Sequence, residues 1–205
     1  MSMLALVTLP LPHKLTEEWL ELFDWVGRDN DAFYPLSDLK DSRLSESLAE
    51  AYARNPARNG LLTWLAVMGL AGCEFKVPRQ LIEPTDSESP FVQRQKICLR
   101  LFEGGLGNEE ISTLVQRVSK LVVNSDESFK WWPICQSLER FRREDWTGTF
   151  VTELAAQLPS ACKNRLLKFC INHLNHWLEL RRSPLHDPQS ASRLRLRHIL
   201  DLAAN

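Results

Sequence analysis

The chain has 205 residues, of which 44% are hydrophobic and 25% charged, and its net charge is −1. That length buries one sizeable core or two small ones, and the composition argues against disorder. The five cysteines are odd in number and lack Cys-x-x-Cys spacing, which argues against a disulfide framework and for reduced thiols in a cytoplasmic, metal-free protein.

Met1–Pro12 is apolar but has no basic leader and is broken by Pro10 and Pro12, which fits neither a signal peptide nor a membrane span. Thr16 stands where a helix cap belongs, with Glu17 and Glu18 near the positive end of the helix dipole. Leu15, Trp19, Leu22, Phe23 and Val26 recur at helical spacing, and Gly27 is expected to end the pattern. Asp29–Leu36 reads as a loop with its aromatics turned to the core. Ser42–Arg54 predicts a second helix with Leu44, Leu48, Ala51 and Tyr52 inward, stopped by Asn55-Pro56.

Leu61–Ala71 is apolar on every side apart from Thr63. A helix greasy around its whole circumference must be surrounded by other elements, so this one, from about residue 57 to Gly72, is read as the central core helix. Pro78–Pro90 then holds three prolines and a polar cluster that are expected to sustain neither helix nor sheet. It ranks first as a linker between two lobes, then as a partner-binding loop, then as an inert insertion. The corresponding domains are 1–78, a linker over 79–90, and 91–205, unless the whole is one continuous domain.

Ser89-Pro90 is a good helix start. The helix it opens turns Phe91, Ile97, Cys98, Leu101 and Phe102 inward and is expected to leave Arg94, Lys96 and Arg100 at the surface. Gly104-Gly-Leu-Gly107 closes it, and Asn108 caps a helix to about Val123 with the stripe Ile111, Leu114, Val115, Val118, Leu121 and Val122. Arg117 and Lys120 lie off that stripe. Trp132-Pro133 opens a short helix through Phe141, with Arg140, Arg142 and Arg143 clustered at its end. Trp146–Leu158 forms another, stopped by Pro159. Ser160–Arg182 predicts a long helix and Ser192–Ala204 a last one, separated by Pro184 and Pro188. With no strand and no repeat, the expectation is an all-α bundle of about eight to nine helices.

The candidate chemistry is thin. Gly104–Glu110 superficially resembles a phosphate-cradling loop, but Glu109 and Glu110 would repel the anion and no lysine with serine or threonine follows, so ordinary capping explains it. Cys170, His173 and His176 stand one turn apart, yet no fourth zinc ligand is in sight. No serine sits in a Gly-x-Ser-x-Gly elbow, and Glu17, Glu18, Glu21 and Asp24 read as a solvated helix face. The expectation is a protein that is not an enzyme and carries no cofactor or metal.

Charge is unevenly spread. Residues 1–60 hold ten acids against six bases, and residues 160–205 three acids against eight bases. Basic side chains also recur on successive helices: Arg94 and Arg100, Arg117 and Lys120, Arg140, Arg142 and Arg143, then Arg181, Arg182, Arg193, Arg195 and Arg197. Gathered on one surface they would hold phosphates and release counterions; spread evenly they would serve solubility alone.

Asn55–Gly72 is similar to the first conserved helix of the small, CasB-like subunit of type I-E CRISPR effector complexes. Val92–Leu101 resembles that family's arginine-containing helix, Leu114–Val122 stands where its second basic helix would be, and Phe129–Leu138 resembles the segment that opens the next one. The resemblance covers roughly residues 55–155 and lies in order and spacing more than in any single motif. It implies a helical, non-catalytic, dimeric subunit whose basic residues hold guide RNA, target strand or displaced strand. Carried over by position, the nucleic-acid contacts would be Arg94, Arg100, Arg117 and Lys120, with Arg140 and Arg143 as additions. The chain departs from the family in having only Gln93-Arg94 where paired arginines are expected, a near-neutral charge, and extra helices from Ser160 onward. The competing expectation is a helical protein–protein adaptor of another bacterial assembly, with Trp131, Trp132 or Trp146 exposed as anchors.

Overall fold

The computed structural model describes residues 14–29, 42–124, 134, 137–138, 145–160 and 162. Among them there are seven helices and no strand, the all-α architecture that the periodicity predicts. The helices expected from Trp132 to Phe141, from Ser160 to Arg182 and from Ser192 to Ala204 fall wholly or largely outside the described residues. The chain divides into two compact units, Met1–Gly104 and Gly105–Asn205.

In the first unit, α1 (Glu17–Asp29), α2 (Ser42–Arg54), α3 (Gly60–Ala71), α4 (Arg79–Ile82) and α5 (Pro90–Glu103) follow one another. Helix α3 packs against α1, α2 and α5. Every residue from Leu61 to Met68 is at most 1% exposed, so the helix that is apolar all round is also enclosed all round. Gly72, at φ 88°, ends it in the left-handed conformation that glycine adopts at no steric cost.

Helix α1 does not stop at Gly27. It runs on to Asp29, because Gly27 is a packing position and not a terminator. A side chain on Gly27 would collide with the backbone of Gly60, and one on Gly60 with the backbone of Asp24 and Arg28. The two glycines thus let α1 and the start of α3 cross backbone to backbone. Polar groups sealed at this crossing are paired, as burial demands. The Gly60 amide donates to Asp24 Oδ1 at 2.8 Å, Thr63 Oγ1 to the Gly27 carbonyl at 3.0 Å, and Trp64 Nε1 to the Phe23 carbonyl at 2.8 Å. The Phe23 and Trp64 rings meet edge to face at 4.8 Å between centroids, an arrangement that aromatic quadrupoles favour.

Asp24 is thereby corrected from a solvated residue to a buried one. Its carboxylate serves as the cap of a helix distant in sequence, near the positive end of the α3 dipole, and its second oxygen holds Arg28 at 2.6 Å. Glu17, Glu18 and Glu21 are exposed, as expected. A hydrogen bond from Thr16 draws the Glu18 carboxyl below its ordinary range.

The second unit contains α6 (Asn108–Asn124) and α7 (Asp145–Gln157), which pack on each other. The predicted stripe of α6 is buried at all six positions. On α7, Trp146, Phe150 and Leu154 recur every fourth residue and are buried, with Leu158 just beyond the helix continuing the row. Ser112 Oγ donates to Glu153 Oε2 at 2.8 Å across the pair. Ile134, Ser137 and Leu138 are helical and buried. The glycine-rich join is ordinary capping: Gly104 and Gly105 take positive φ, and the Gly107 amide donates to Glu110 Oε2 at 3.0 Å. The cap position of α6 is therefore Gly107, one residue before the expected Asn108.

Candidate nucleic-acid interface

The predicted contacts fall into two groups. Arg94 and Arg100 are on α5 of the first unit, and Arg117 and Lys120 on α6 of the second. Arg140 and Arg143 lie outside the described residues, as do Trp131 and Trp132.

Helix α5 starts as the sequence predicts. Ser89 Oγ accepts from the Val92 amide at 3.3 Å, and Pro90 takes the first helical position, where a missing N–H costs nothing. Its surroundings differ from the expectation. Residues 94–101 are buried without interruption, so Arg94, Lys96 and Arg100, expected at the surface, are 6%, 6% and 3% exposed. For Lys96 and Arg100 the physical reason is the segment before the helix. Residues 78–89 contain Glu83, Asp86 and Glu88 against a single Arg79, while α5 contains Arg94, Lys96 and Arg100 against a single Glu103. The two stretches carry equal and opposite charge, and they lie together.

Lys96 Nζ meets Glu88 Oε1 at 2.5 Å and the Glu83 carbonyl at 3.4 Å. Arg100 pairs with Glu83 at 3.6 Å and with Glu103 one turn along its own helix. Burial lowers the pKa of Arg100; the nearby Arg79 pushes it the same way and Glu83 opposes it. Arg94 lies over the Phe91 ring at 5.7 Å from its centroid, within cation–π range.

The segment read as a linker is therefore a strap tied to the first unit. Helix α4 forms one short turn within it, contrary to the expectation that the prolines forbid any helix, and packs against α5. Ile82 and Pro84 are buried, and Tyr52 Oη donates to the Leu81 carbonyl at 3.2 Å. Burial, with the Glu88 charge adding to it, pushes the Tyr52 phenol up to about 12. The strap, tied to Tyr52 and α5, falls within the first of the two compact units. The signal that would have found this is the mirrored charge of the two adjoining stretches.

On α6, Lys120 is exposed and Arg117 half-buried, both off the apolar stripe as predicted. Trp146 is corrected: it is 7% exposed, the first member of the buried row of α7, and not an exposed anchor. Among the described residues the exposed tryptophan is Trp25 on α1, at 53%, which helical spacing placed off the Trp19–Phe23–Val26 face without marking it as an anchor.

Among the described residues, no helix is long and apolar enough to cross a membrane, and no three metal-ligating side chains cluster. No protein-family model matches the chain, and no curated protein or solved structure matches it either.

Proposed function

We propose that the chain is a non-catalytic helical subunit of an RNA-guided, CRISPR-type effector complex that tracks the phosphate backbone of guide RNA or of a DNA strand. The observation that carries this reading is the order of helix types. An apolar core helix at Gly60–Ala71 is followed by a cation-bearing helix at Pro90–Glu103, then by one at Asn108–Asn124 that keeps Arg117 and Lys120 off its buried stripe. That is the order of the small-subunit segments that the sequence resembles. Among the described candidates the accessible phosphate contact is Lys120, with Arg117 beside it one turn earlier, because Arg94 and Arg100 are buried and Arg100 is neutralised by carboxylates.

Phosphate contacts of this kind displace counterions, so binding follows backbone charge more than base sequence. The test is copurification from cells. The reading expects a nucleic-acid absorbance signal and other effector-complex subunits to travel with the chain, and the signal to fall in the Arg117→Glu/Lys120→Glu variant. Copurifying proteins without nucleic acid would favour the adaptor reading. That reading is supported by Trp25, a large side chain more than half exposed and of the type that anchors protein interfaces.

A further inference from the structure

The strap that neutralises α5 has two halves of different character. Its first half is anchored: Ile82 and Pro84 are buried, and Tyr52 holds the Leu81 carbonyl. Its second half, Thr85–Ser89, is a turn closed mainly on itself. The Glu88 amide donates to the Thr85 carbonyl at 3.2 Å, the Thr85 amide to Glu88 Oε2 at 2.9 Å, and the Thr85 and Ser87 hydroxyls meet at 3.1 Å. Thr85, Asp86 and Ser87 are exposed. The turn's ties to α5 are polar: Glu88 Oε1 on Lys96 Nζ, the Glu88 carbonyl accepting from Gln93 Nε2 at 2.8 Å, and the Ser89 cap. Such ties exchange readily for water or for other oxygens, unlike the apolar seat of Ile82.

We propose that the Thr85–Ser89 turn is a lid over the cationic side of α5, and that the phosphates of a single-stranded nucleic acid displace Glu88 from Lys96. The inference rests on the nucleic-acid reading above and adds a regulated site to it. In the closed state the Glu88 carboxylate occupies the position on Lys96 that a phosphate oxygen would take, which suppresses weak binding to stray polyanions. Pro84 and the Ser89-Pro90 step bound the moving piece.

The experiment uses the full chain and poly(U) as probe. Glu88→Gln leaves the side chain's size and removes its charge; it is expected to tighten poly(U) binding on the order of tenfold at low salt. It is also expected to steepen the dependence of log K on log salt by about 0.7, one further phosphate contact on a single strand. Glu88→Asp keeps the charge and is expected to bind as wild type does. In the wild-type chain, poly(U) is expected to speed hydrogen exchange at the Glu88 and Gln93 amides. Unchanged affinity and slope in Glu88→Gln, or equal tightening in Glu88→Asp, would overturn the lid while leaving the nucleic-acid reading intact. Absence of poly(U) binding by the wild-type chain and the Glu88→Gln variant alike would overturn both.

Discussion

Helices α3 and α5 are both enclosed, yet one is almost wholly apolar and the other carries three cations through its buried stretch. Enclosure of α3 follows from the hydrophobic effect alone, because any exposed face would cost apolar surface. Enclosure of α5 requires a neighbouring segment to supply anions at the right places, since an unpaired buried charge is far more costly than an unpaired hydroxyl. Burial in this protein thus has two causes, and only the first is a property of the helix that is buried.

The sharpest way to break the comparison is at the seat of α3. Gly60→Ala places a methyl group where the α1 backbone already stands. The expected loss is more than about 3 kcal/mol, or failure to fold, since backbone on both sides cannot yield as a side chain can. Thermal unfolding by circular dichroism reads it. A variant as stable as wild type would mean that α1 and α3 do not cross so closely.

Next in size is Asp24→Ala, which leaves the Gly60 amide buried without its acceptor and Arg28 without its carboxylate. The expected cost is about 2 kcal/mol, and urea denaturation should show it as a lower midpoint with an unchanged slope. Asp24→Asn retains an acceptor oxygen and is expected to recover roughly half of the loss.

Tyr52→Phe tests the tie between the strap and α2. It removes the bond to the Leu81 carbonyl at an expected cost of about 1 kcal/mol at neutral pH. The phenol's pKa is raised on folding from 10.0 to about 12. Its contribution is therefore fully present below pH 10 and is lost as pH rises from there through the folded-state value near 12. Wild type is expected to lose stability relative to Tyr52→Phe across that window. Parallel curves would show that Tyr52 is not sealed beneath the strap.

The smallest effect is expected in α5 itself. The double change Lys96→Met/Glu88→Gln swaps a largely buried ion pair for a neutral one, and stability is expected to stay within about 1 kcal/mol of wild type. Lys96→Met alone leaves Glu88 without its cation, but that carboxylate is 23% exposed and can be hydrated, which bounds the loss to a similar size. A loss of several kcal/mol would mean that the charges stabilise α5 and do not merely accompany it.

This contrast also explains what the sequence made legible. The range of α2, the circumference of α3, the Ser89 cap of α5 and the stripe of α6 were all readable, because each rests on spacing within one element. Gly27 was misread because its role depends on Gly60, more than thirty residues away, and Asp24 because the amide it caps belongs to another helix. The surface placement of Lys96 and Arg100 failed for the same reason: they have partners on a segment whose prolines suggested a loose linker, while Arg94 lies over the Phe91 ring of its own helix. Of the candidate interface, the exposure of Lys120 was readable from its place off the stripe, while the burial of Trp146 needed the α7 row to be weighed above its aromatic character.

The nucleic-acid reading meets its most direct test in the affinity of the wild-type chain for poly(U) measured across a series of salt concentrations. The account predicts binding whose log K falls linearly as log salt rises, with a smaller slope in Lys120→Glu. Affinity that ignores salt, or a chain that does not bind the polymer even at low salt, would contradict it.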